Sequence, residues 1–136
     1  MDYLKPQYEF LKARLKGKCN GNRICYETLH EKSGVLAEEY LMFIPEDKRL
    51  VRENTVLPPF DVTSLCADFD SRSKVSIDKV ILNYNKKLQV VFSNGTKANK
   101  KFIDLFEGCE FYNNGARNPI YCLLDDEIVG VVMPMR

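Results

Sequence analysis

Residues 3–18 hold five basic side chains, Lys5, Lys12, Arg14, Lys16 and Lys18, and one acid, Glu9. That stretch carries a net +4; the whole chain carries +1, so the remainder carries −3. A basic element on a mildly acidic body guides a polyanion to one face. Ammonium and guanidinium groups on the solvent side of a helix pair with phosphate oxygens without reading bases. The same residues also serve simply to keep an exposed face soluble. A second basic cluster, Lys97, Lys100 and Lys101, surrounds the start of a segment with helical character. Backbone N–H groups at a helix start also suit a phosphate.

Residues for catalysis are sparse. His30 is the only histidine and lies in the turn-like stretch Leu29-His30-Glu31, where a solvated loop residue is expected rather than a general base. Asp68 with Asp70, and Asp125-Asp126-Glu127, are carboxylate clusters. Adjacent turn positions point in different directions, and turns favour such residues anyway, so a metal role has little support. Gly17 and Gly21, and Gly108 and Gly115, lack the spacing of a phosphate-binding loop. The five cysteines, at 19, 25, 66, 109 and 122, are odd in number, so at least one stays unpaired. None has a plausible base nearby in sequence, and Cys19 with Cys25 has no second close pair for zinc. Asn94-Gly95-Thr96 reads as a turn. The expectation is a binding protein, with no enzymatic activity, cofactor or metal.

The chain has 136 residues, 45% hydrophobic and 29% charged, the size of one ordinary domain spanning 1–136. A chain of that length buries roughly two thirds of its extended surface. No apolar run approaches the roughly 20 residues of a membrane span, and MDYLKPQYEF is not a signal peptide. A cytoplasmic protein with reduced thiols and no membrane partner is expected.

Spacing sets the elements. Leu4, Tyr8, Leu11 and Leu15 recur at four, three and four residues, so residues 3–16 are expected to be a helix with that stripe on the core. Pro6 is tolerated in its first turn, and Gly17 stops it. Lys5, Glu9, Lys12 and Lys16 form a second stripe, turned to solvent. Residues 23–29 read as a strand with Ile24, Tyr26 and Thr28 on one side. Ser33-Gly34 reads as a turn, and 35–44 as one longer strand, although Ala37-Glu38-Glu39 also fits a helix. Residues 46–59 are expected to be a surface loop; 62–69 fit a short helix or a strand. Residues 75–83 and 87–93 form a hairpin with a bulge near Asp78-Lys79. Residues 99–106 form a second helix capped by Asn99, with Phe102, Ile103, Leu105 and Phe106 inward. Strands at 109–112, 119–124 and 128–133 close the domain. Two helices on seven or eight mostly antiparallel strands define an α+β domain.

The segments FIDLF, RNPIY and VVMPMR, with the Asn114-Gly115 and Asp125-Asp126 turns between them, together resemble the end of bacterial DNA sliding clamps, the processivity factors of replicative polymerases. The likeness covers about the last 40 residues. GVLAEEYLMFIPEDKRL is a weaker echo, lacking the family's threonine-aspartate-glycine-histidine turn. The resemblance implies a clamp-like fold whose basic helices face double-stranded DNA, with Lys5, Lys12, Arg14, Lys16, Lys97, Lys100 and Lys101 on phosphates. It implies that Met133, Pro134, Met135 and Arg136 help receive short peptides of replication proteins, Met being suited to several clients. Family rings hold six such domains, so one domain implies either a homo-oligomer of six copies or a stand-alone relative.

Overall fold

A helix start needs acceptors for its first N–H groups. In the computed structural model, Asp2 Oδ1 accepts from Leu4 N (3.1 Å) and Lys5 N (3.0 Å) at the head of α1, Leu4–Leu15. The helix ends where Gly17 turns to φ +68°, donating to Arg14 O at 3.0 Å, a left-handed stop that glycine adopts without strain. Residues 1–17, 22–50, 59–67 and 69–135 are described. Lys18, Cys19, Gly21, Asp68, Arg136 and most of the expected 46–59 loop therefore lie outside the described residues. Among those described are two α-helices and eleven strands, an α+β fold. They group into two units, Asp2–Ala67 and, with Met1, Asp68–Arg136.

The buried side of α1 corrects the expectation. Leu4, Tyr8, Leu11 and Leu15 are 62%, 60%, 38% and 89% exposed, while Pro6, Gln7 and Phe10 are buried. Gln7 explains the choice of face. Its amide donates to Tyr3 O (2.7 Å) and Lys48 O (3.1 Å), and its carbonyl accepts from Leu50 N (2.7 Å). Turning Gln7 to solvent would exchange those bonds for bonds to water, at a net cost of about 0.5–1.5 kcal/mol each. Periodicity marks which residues share a face; these bonds and the burial of Phe10 decide which face turns inward.

The first unit's strands are β1 (Arg23–Glu27), β2 (Lys32–Leu36), β3 (Tyr40–Phe43) and β4 (Phe60–Asp61), in the order β4-β1-β2-β3. The β1–β2 and β2–β3 pairs are antiparallel, and β4 runs parallel to β1. Helix α1 packs on β2. Three details differ from the spacing argument. Ser33-Gly34 is not a turn but the middle of β2, opposite Tyr26 and Cys25. Gly34 is required there by close approach: a Cβ would lie 1.9 Å from Met42 O. The expected single strand 35–44 folds back on itself, with Ala37 N donating to Tyr40 O at 2.8 Å and Leu36 opposite Leu41. On β1 the buried side chains are Cys25 and Glu27, and Tyr26 faces out. Where the ambiguous 62–69 segment is described it turns helically rather than extending, with 3-10 turns at Thr63–Cys66 and Phe69–Ser71.

The second unit holds β5 (Lys74–Val75), β6 (Ile77–Leu82), β7 (Leu88–Phe92), β8 (Lys97–Asn99), β9 (Glu110–Asn113), β10 (Ile120–Leu124) and β11 (Glu127–Val132). Antiparallel β11-β10-β9-β5 form one layer, and β6-β7-β8 a small second sheet. The β6–β7 register shifts between Ile77 and Lys79, the expected bulge. Asp125 and Asp126, at φ +51° and +64°, make a tight turn of the hand that suits twisted strands. The second helix, α2 (Lys100–Ile103), runs on as a 3-10 turn, Asp104–Phe106, and packs on β7 and β8. Asn99 caps it, accepting from Lys101 N at 3.0 Å; Ile103, Leu105 and Phe106 are buried as expected, while Phe102, expected inward with them, is only half-buried.

One buried side chain, Asn113, organises this unit's loops. Its Oδ1 accepts from Asn94 Nδ2 (2.7 Å), Thr96 Oγ1 (2.8 Å) and Gly115 N (2.9 Å). Its Nδ2 donates to Asn118 O (2.9 Å) and Pro119 O (3.1 Å). The turn at 94–96 and the loop at 113–119 are thus held by one amide.

Candidate nucleic-acid and partner surfaces

Lys5, Lys12 and Arg14 are exposed on α1, and Lys16 is exposed at its C-cap. Spacings of seven and four put Lys5, Lys12 and Lys16 along one flank, with Glu9 among them; Arg14 falls on the other side. Lys12 Nζ lies 6.0 Å from the Tyr8 ring centroid, a contact at the limit of a cation–π attraction. This flank adjoins the exposed Leu4, Tyr8, Leu11 and Leu15 stripe. One helix therefore shows solvent an apolar row and, beside it, a basic row.

The second cluster is differently occupied. Lys97 is exposed on β8, and Lys101 is exposed on α2 near the Phe102 ring (5.9 Å). Lys100 is only half-exposed, with Nζ 2.7 Å from Asp104 Oδ2, which offsets its charge locally. Asn99 occupies one of the first-turn N–H groups, so fewer of them remain for a phosphate. The α1 and 97–101 clusters belong to different units.

Beyond β11, Met133, Pro134 and Met135 are half-buried. Met135 N donates to Lys97 O at 2.7 Å as an isolated antiparallel bridge, and its thioether lies 3.6 Å from Gln89 Nε2. The apolar C-terminal run is thus tied to the edge of the small sheet. Arg136 lies outside the described residues.

His30 sits in the exposed turn, but its Nδ1 lies 2.9 Å from Glu27 Oε2. Glu27 is itself buried and also accepts from the Leu29 and His30 backbone N–H groups. Sequence reasoning missed Glu27. The only signal was its position at the end of an alternating strand, on the buried side of β1. This carboxylate caps the Thr28–Glu31 turn. Asp61 on β4 is held below the ordinary carboxylate range by the Thr63 hydroxyl and N–H.

The remaining reactive groups are subdued. Burial pushes the Cys25 and Cys66 thiols up to about 12 and Cys109 to about 11, and Cys122 well above its usual value. A neutral thiol is a poor nucleophile and metal ligand. Asp125 and Asp126 are exposed turn residues, Asp126 lying 3.7 Å from Arg72. Among the described residues no three histidine, cysteine or acidic side chains are grouped to hold a metal ion, and no helix is long and apolar enough to cross a membrane.

What fold and surface define together is an α+β protein with basic and apolar surface rows. No family model, curated protein or solved structure matches the chain.

Proposed function

We propose that this protein is a sliding-clamp-like binding protein. It contacts duplex DNA through phosphates, without reading sequence, and tethers replication proteins through its C-terminal apolar run. The observation that carries the reading is the exposed basic row of Lys5 and Lys12 on α1 and Lys16 at its C-cap, with one acid, Glu9, among them. Lys97 and Lys101 add exposed charge in the second unit. Each neutralised phosphate releases condensed counterion, so affinity falls with salt at a slope near −0.9 per contact; three contacts from Lys5, Lys12 and Lys16 give about −3. Met133 and Pro134, half-buried beside the bridged Met135, would offer adaptable apolar surface to a client peptide. Such a protein would encircle DNA only by assembling copies; light scattering that gives a hexamer supports a ring, and a monomer supports a non-encircling relative. Fluorescence anisotropy with duplex DNA at low and moderate salt tests the reading. Salt-sensitive binding that weakens in Lys12→Glu with Lys16→Glu supports it. No binding at low salt, or binding indifferent to salt, removes it.

A second reading, a protein-interaction module of the same fold with no nucleic-acid role, is favoured by one observation. The apolar row on α1 has no use in phosphate contact.

A further inference from the structure

Leu4, Tyr8, Leu11 and Leu15 follow the four-three-four spacing of alternating d and a positions in a heptad, the seam of a coiled coil. Here that seam points to solvent along its whole length, about 16 Å at 1.5 Å per residue, because α1 docks through Pro6, Gln7 and Phe10 instead. Scattered exposed leucines need no explanation; a continuous apolar row is the kind of surface that marks an interaction site. In the same register Lys5 and Lys12 both occupy e, the position whose charge selects a partner helix.

We propose that α1 docks an acidic amphipathic helix of another protein, with apolar residues at a and d and glutamate or aspartate facing Lys5 and Lys12. Charge complementarity singles out this occupant. A second copy is disfavoured: antiparallel pairing sets lysine e positions against each other, and parallel pairing sets Lys12 against a g residue that is neutral Gln7, buried in its own fold. A bilayer is disfavoured because the row is a narrow two-position seam, not the broad apolar face that an interfacial helix sinks into lipid. Two heptads make a short contact, so roughly micromolar or weaker affinity is expected.

The test uses the full chain and a fluorescent helical probe of about three heptads, leucine at a and d and glutamate at e and g. A matched probe carries lysine at e and g. Anisotropy should show the glutamate probe binding at least about tenfold more tightly, the preference inverting in Lys5→Glu with Lys12→Glu. Leu11→Ser with Leu15→Ser should abolish capture. Leu15→Ser alone, at the more exposed site, should weaken it at least about threefold and serves if the double variant misfolds. The leucine variants leave the duplex DNA titration unchanged, so loss of DNA binding and loss of peptide binding are told apart. Failure of the glutamate probe to bind, equal binding of both probes, or capture that survives the serine changes would overturn the proposal. So would seam-dependent self-association in sedimentation, or seam-dependent flotation with phosphatidylserine vesicles, since either gives the row a different occupant.

Discussion

Two basic helical segments in one chain bury themselves in opposite ways. Residues 99–106 turn Ile103, Leu105 and Phe106 inward, as their pattern dictates. Helix α1 has the cleaner apolar period and leaves it in water, burying a proline, an amide and one aromatic ring instead. An amphipathic period is thus a statement about side chains sharing a face. A short segment flanked by strands has few ways to dock. A twelve-residue helix joined by loops can present any face, and here the face that docks is the one carrying Pro6, Phe10 and a Gln7 with three well-placed partners.

That contrast can be broken or sharpened by mutation. The largest effect is expected from Phe106→Ala, which removes a ring with no exposed surface; urea melts should lose about 3–5 kcal/mol. Gln7→Ala comes next, leaving Leu50 N and the Tyr3 and Lys48 carbonyls without this partner. A loss of about 2–3 kcal/mol is expected; a loss near zero would mean that Gln7 does not select the buried face. Asn99→Ala should cost about 1 kcal/mol in the same assay by removing the α2 cap. The smallest effect belongs to the residues that the sequence pattern marks as core. Leu4→Ser and Leu15→Ser should each change stability by no more than about 0.5 kcal/mol, and a loss above 2 kcal/mol would return the seam to the interior.

Much of the second unit was legible. The Asp78 bulge, the Asn99 cap and the three closing strands follow from local pattern, because turn chemistry and alternation act over a few residues. The first unit was less so. Ser33-Gly34 looks like a turn, yet Gly34 serves a close crossing by Met42 O, a contact eight residues away in sequence. The 35–44 run looks like one strand because nothing in its letters shows that Ala37 will bond Tyr40 across a fold. Of the candidate surfaces, the lysines of α1 were legible as exposed; the ion pair that offsets Lys100 was in reach of an i,i+4 argument. The Glu27–His30 pairing depended on which side of β1 was buried.

The chain's letters alone determined where the helices and most strands lie, since capping groups, glycine stops and periodicity are local. They also determined that basic charge gathers near residue 5 to 16. Which face of α1 turns inside was set by the folded chain. That choice belongs to hydrogen bonds and packing between residues some 40 positions apart, Gln7 with Lys48 and Leu50, and such pairings leave no periodic trace.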